Sequence, residues 1–196
     1  MRLQCLVDLW SRDNNITELT GLLGSGTFET GYYSCVLALF QSLFRHQAWA
    51  DAALLAAVKS HSESLRDEWL LKTLHHTVMV QRVFLSRFLD RPFDKAKESK
   101  VPESFDELIR LFRDTHAEEL TFVDGLSESD LERRFELPFL QTHPTVAKGL
   151  TQVVMHSQNH RGQCLMRLRE NGGKAPTLDY ILWAKERPAP LWPKQQ

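Results

Sequence analysis

The 196-residue chain is 42% apolar and 25% charged, a balance that suits one globular domain with a sizeable core and excludes wholesale disorder. Its 24 basic and 25 acidic side chains leave a formal charge of -1, without the basic excess that phosphate neutralisation needs, so nucleic acid is not expected as a partner. Cys5, Cys35 and Cys164 are too few and too scattered for a disulfide framework, and the early apolar run at 35–40 is too short to cross a bilayer and carries no leader pattern; a cytoplasmic protein without a membrane partner is expected.

Residues 1–33 are broken by Gly21, Gly24, Gly26 and Gly31 and read as an N-terminal extension outside the fold. GSGTFE, from Gly24, matches only the first two glycines of a dinucleotide fingerprint, and the glycine spacing at 21–27 lacks the lysine of a phosphate loop. Residues 34–187 form the expected domain. A first helical segment covers about 34–60, with Leu39, Leu43, His46, Trp49 or Ala50, and Ala53 at three- and four-residue steps. A second covers 63–90, after a Ser62 cap and before Pro92. A third starts near Pro102-Glu103 and carries Phe105, Leu108, Leu111 or Phe112, Thr115 and Leu120.

An irregular stretch follows at 125–141, where Ser127 or Ser129 can cap a short turn. The fourth segment runs from Thr142-His143-Pro144 to Asn171 and stops at Gly172-Gly173. A short extra C-terminal helix fits 178–186, ended by Pro188 and Pro190, and residues 188–196 read as a loose strap. No alternating run argues for a sheet. The expected fold is therefore all-α, an antiparallel four-helix bundle.

Chemistry-bearing residues gather on the second and fourth segments. HSQNHRGQ sets His156 and His160 four residues apart, which on a helix places both rings on one face with Cβ atoms about 5–6 Å apart. Both can then reach one ion at the roughly 2.0–2.1 Å of zinc–nitrogen bonds. Cys164 continues the stripe, but at 1.5 Å rise per residue its ends lie about 12 Å apart. Cys164 accordingly reads as a small buried apolar residue, and a third ligand must come from another helix.

The second segment offers His75 and His76, which point about 100° apart, so at most one faces a given ion. The broad apolar surface around them does not choose between the two. The unused ring is a candidate for orienting its neighbour, and Gln163, three residues past His160, for bonding a ligand or a water. Arg161 reads as a surface charge, and His116 with Glu119 as a solvated pair. Gly162 reads as a point of close approach or as simple tolerance. No His-Glu-x-x-His, Glu-x-x-His or Gly-x-Ser-x-Gly pattern occurs, which sets aside zincin, di-iron and serine-hydrolase chemistry.

A helix with Trp-Ala-Asp-Ala, a helix with His followed by Gln-Arg-x-Phe-Leu, and a helix with His-x-x-x-His-Arg-Gly-Gln stand in that order. Over about residues 37–185, including Gly-Gly-Lys-Ala-Pro and residues 179–183, the chain resembles the DinB or YfiT-like superfamily of metalloproteins. The resemblance implies a four-helix bundle with one metal ligand from the second helix and two from the fourth. Laid onto this sequence these are His76, because the family's arginine falls six residues later at Arg82, together with His156 and His160. Gln81 stands where the family often has an acid.

The resemblance implies one divalent ion, with zinc first and nickel, iron or manganese as alternatives. It also implies a small-molecule substrate, a homodimer, and chemistry of the thiol-dependent transferase or metal-dependent hydrolase type, with a low-molecular-weight thiol as cofactor in the first case. No catalytic residue beyond the ligands is assigned. The alternative is a non-catalytic metal- or ligand-binding bundle induced under stress.

Overall fold

The computed structural model describes the backbone of residues 28–194, with side chains from residue 36 onward; the glycine spacing at 21–27 lies outside the described residues. Helix α1 spans Phe28–Lys59, starting ahead of Ser34 and running through Gly31. Its buried face follows Phe40, Phe44, Gln47, Asp51, Leu54 and Val58. Of the expected stripe His46 and Ala50 are buried, but Leu39 is 51% exposed and the face begins one position round, at Phe40 and Phe44. Turning Phe40 and Phe44 inward buries more apolar area than turning two leucines inward would.

Helix α2 covers Glu68–Phe88, and its cap is Asp67, which accepts from the Leu70 amide, rather than Ser62. Residues 64–66 make a separate 3-10 turn ahead of it. Asp67 is also held by Arg167 and Asn171, which fixes the corner. A one-turn helix α3, Lys95–Glu98, interrupts the connection to α4, Phe105–Gly125, which opens with a Ser104–Glu107 capping box. Ser127 then opens a 3-10 turn at Glu128–Glu132, and a second turn covers Pro138–Leu140. Two isolated bridges, Arg134 to Thr145 and Leu137 to Thr142, close this excursion, and no strand forms among the described residues.

Helix α5, Val146–Glu170, is capped by Thr145. It ends where Gly172 takes φ +87° and the Gly173 amide donates back to Leu168 O at 2.8 Å, a left-handed stop that favours glycine. Helix α6 is Tyr180–Glu186.

The four long helices form a bundle in which α1 packs on α4 and α5, and α2 on α4 and α5. Lys59 meets Asp106 at one end of α1 and Arg45 meets Asp124 towards the other, so α1 and α4 are antiparallel. Arg167 reaches Asp67 while Gly149 lies against Phe88, so α2 and α5 are antiparallel as well. Helices α2 and α4 run parallel, because residues 89–104 travel back down the bundle between them. Glu98 on this connection grips Arg82 with two hydrogen bonds, at 2.7 and 2.8 Å.

The core has two apolar clusters. One holds Leu54, Leu55, Leu70, Leu108, Phe112 and Leu168, the other Phe40, Phe44, Phe84, Phe88, Phe135 and Leu150. Between them every long helix contributes buried polar side chains: Gln47 and Asp51 from α1, Gln81 from α2, His116 and Glu119 from α4, Ser157 and Arg161 from α5. The tail is not a loose strap. Trp192 packs on the first cluster and stacks on His116 at 5.7 Å between ring centroids, and Lys59 Nζ donates to Lys194 O at 2.6 Å. No helix among the described residues is long and apolar enough to cross a membrane.

Close approach occurs at Gly149, not at Gly162. A Cβ on Gly149 would meet Phe88 Cε1 at 2.5 Å and Phe135 Cζ at 2.8 Å, whereas one on Gly162 would meet nothing within 4 Å. Gly149→Ala is expected to lower unfolding free energy by about 1–3 kcal/mol through overpacking. Gly162→Ala should raise it by up to about 1 kcal/mol through helix propensity. Urea titrations of the two variants check both signs.

Candidate metal centre

His76 projects from the middle of α2, and His156 and His160 project from the middle of α5. Because these helices are antiparallel, the three rings meet at one level of the groove between them. One ligand atom from each lies within 4.8 Å of the other two. His76 Nε2 and His156 Nε2 are 3.2 Å apart, and the ring centroids are separated by 5.0, 4.9 and 4.4 Å. Two nitrogens bound tetrahedrally at 2.0–2.1 Å would sit about 3.3 Å apart, so the first pair already has the required spacing, and the third ring brings a nitrogen within 4.8 Å of both.

The local electrostatics suit cation binding. Burial, reinforced by His160 and His76, pushes His156 down to about 4. Burial and then His160 also lower His76. Both rings are therefore neutral at neutral pH and have lone pairs to give. His160 Nδ1 lies 3.0 Å from Gln163 Oε1; an amide oxygen only accepts, so this contact puts the proton on Nδ1 and leaves Nε2 free for the groove. Gln163 thus holds a ring from behind. His75 turns the other way and bonds the backbone of Glu98. Cys164 is fully buried, and burial, followed by the nearby Asp51 charge, pushes its thiol up to about 12, so it supplies no thiolate at neutral pH.

The opposite faces of the same helix turns point inward into the polar layer. Arg161 is buried, with Nε donating to Asp51 Oδ1 at 2.8 Å; it is not the surface charge its polarity suggests. His116 Nε2 bonds Asp51 Oδ2 at 2.9 Å and its Nδ1 faces Glu119 Oε2 at 3.0 Å; at 1% and 2% exposure, His116 and Glu119 are no solvated pair. Gln81 Nε2 donates to Ser157 Oγ at 3.1 Å and to Asp51 Oδ2 at 3.4 Å, tying α2 to α5 and α1 about one turn from the three imidazoles. Two carboxylates facing Arg161 and His116 account for the burial of all four groups. A charge inside the core is tolerated only when it is paired and hydrogen-bonded.

A cavity of about 720 Å³ opens from His156 along the same groove. Val80, Val83 and Phe84 of α2 form one wall, Gly149 and Gln152 of α5 the other, and Phe139 and Leu140 overhang it. Its volume lies within the range of small-molecule sites.

A profile described as the DinB superfamily matches residues 70–164. Over that stretch, just under half of its length, the chain is similar to the DinB superfamily. A crystal structure of a DinB-like protein from Bacillus cereus ATCC 10987 superposes with a TM-score of 0.54 at 18% identity, covering 66% of this chain and 90% of that one. At that identity the likeness concerns the fold alone. No curated protein matches the chain. The DinB match takes in all three histidines, Gln81, Arg161 and Gln163, and begins after Asp51.

Asp51 and the cavity are what sequence reasoning missed. Asp51 had a signal: a lone carboxylate within WADAALLAAV must be buried and so must have partners. The cavity had none, because its overhang comes from an irregular segment.

Replacing Asp51 by Asn leaves Arg161 and His116 without their shared counter-charge and is expected to cost about 3–5 kcal/mol of stability. Burial alone would lower His116, but its bonds to Asp51 and Glu119 outweigh this and raise it to about 9 from the ordinary 6.5. A raised folded pKa stabilises fully below 6.5, and that stabilisation fades as pH climbs through 9. Urea midpoints should therefore fall between pH 7 and 9, and His116→Gln should flatten the fall.

Proposed function

We propose that the protein is a divalent-metal enzyme acting on a small molecule, of the thiol-dependent transferase or hydrolase type, with His76, His156 and His160 as metal ligands. One observation carries the reading: three imidazoles that each bring a nitrogen within 4.8 Å of the other two, with His156 also lining a cavity of about 720 Å³. Three neutral nitrogens leave part of a tetrahedral ion open. An ion held there would act as a Lewis acid towards an oxygen or sulfur donor. Zinc suits the donor set best, with nickel, iron or manganese also compatible.

The chain's own side chains supply the rest. Gln163 fixes the His160 tautomer, burial keeps His156 and His76 unprotonated, and Val80, Val83 and Phe84 give the cavity on the His156 side an apolar wall. With Cys164 buried and protonated, a thiol nucleophile would have to come from a cofactor rather than from the described part of the chain. The same reading places residues 34–187 as the working unit and the protein in the cytoplasm. It also has the protein act as a homodimer. Met155 and Met166, both exposed on one stripe of α5 with the open Gly162 between them, give the second copy a face to cover.

Elemental analysis of protein purified without added metal should find about one divalent ion per chain, and none in His76→Ala or His156→Ala. Gln163→Ala should retain the site with affinity weakened about 10- to 100-fold. Wild-type protein without metal, or mutants that keep it, would end this reading. Metal-loaded protein is then assayed with small thiols against 1-chloro-2,4-dinitrobenzene and with p-nitrophenyl esters; bound metal without turnover in either assay would return the non-catalytic bundle.

A further inference from the structure

The cavity beside His156 is sided in charge as well as shape. Arg87, Lys95 and Lys148 line it, and no Asp or Glu does. None of the three makes an ion pair among the described residues, and Arg87 Nε is buried without a hydrogen-bond partner. In a chain with a formal charge of -1, three unpaired cations around one cavity form a local field of one sign.

Their place along the groove is equally specific. Arg87 lies eleven residues along α2 from His76, roughly 16 Å, and Lys148 eight residues along α5 from His156, roughly 12 Å. Because α2 and α5 are antiparallel, both displacements run towards the same end of the bundle, away from the imidazoles. Between the two ends Val80, Val83, Phe84 and Phe93 give an apolar side, facing Gly149 and Gln152 of α5. Phe139 and Leu140, both more than 60% exposed, leave apolar surface over the cavity that an apolar occupant would cover.

We propose that the cavity binds an elongated amphiphile whose anionic head, of carboxylate size, is held by Arg87 and Lys148 with Lys95 beside them. Its apolar body lies along α2 and its other end reaches the three-histidine site. This names a substrate class for that site and rests on the site being the reactive centre, but the recognition itself comes from residues remote from the imidazoles. A charge-assisted hydrogen bond from a guanidinium already stripped of water on one side is the strongest head-group contact available here.

The test is calorimetric titration of the full chain with octanoate, octanol and octylamine, which share a body and differ in head. Octanoate should bind at least tenfold more tightly than octanol, and octylamine should not bind. Arg87→Gln and Lys148→Gln should each weaken octanoate fivefold or more while leaving octanol within twofold. Lys148 is exposed, so its variant serves even if Arg87→Gln is unstable. Equal affinity for octanoate and octanol, or octanoate binding untouched by both substitutions, would overturn the proposal. His76→Ala separates it from the metal reading: octanoate affinity should stay within twofold as metal is lost. Loss of octanoate binding in that variant would place the head at the histidines and refute the orientation. A His76→Ala protein that keeps its metal would refute the metal reading alone.

Discussion

Asp51 is a carboxylate in the middle of a helix with no water to solvate it, and the bundle is arranged so that this charge is answered. Arg161 comes to it from α5, His116 from α4 and Gln81 from α2. Burial works against its ionisation, yet Arg161 and His116 keep its pKa well below the carboxylate range. Apolar packing is tolerant of small slides, since one leucine replaces another at modest cost. An ion pair and its hydrogen bonds are not. A shift of one helical turn, about 5.4 Å, would strand several charges in hydrocarbon. The polar layer therefore sets the register of all four helices.

That register reaches the three-histidine cluster directly. On α5, Ser157 and Arg161 follow His156 and His160 by one residue each, so the inward pair and the outward pair occupy the same two turns. On α2, Gln81 sits just over one turn beyond His76. Fixing the inward face fixes where the outward rings project, and the 3.2 Å approach of two ring nitrogens from different helices follows from it. The protein uses histidine in two opposed ways. His116 lies between carboxylates and keeps its proton to high pH; His156 lies among other imidazoles and apolar walls and gives its proton up.

Helix number, the final glycine stop and the His156–His160 spacing were legible because each is local: a period, a cap, a four-residue step. The choice of His76 over His75 was not local. It came from the family resemblance, and the structure turns His76 to the groove and His75 to the connection. Arg161, His116 and Glu119 were misread as surface groups because charge is a good guide to exposure only when no partner waits in the core, and their partner stands far away in sequence at Asp51. The start of the α1 stripe was off by one residue for a related reason. Leu39 and Phe40 both fit a helical stripe, and only packing against the other helices decides between them.

The connection at 89–104 has a consequence of another kind. It contributes Phe93 and Lys95 to the cavity and is moored to α2 through Glu98 and Arg82, yet it supplies none of the three imidazoles. The cavity lining thus draws in part on a stretch of chain separate from the two helices that carry the imidazoles. Such a layout lets the shape of the cavity change through exchange of a strap, while the helices that carry the histidines stay as they are.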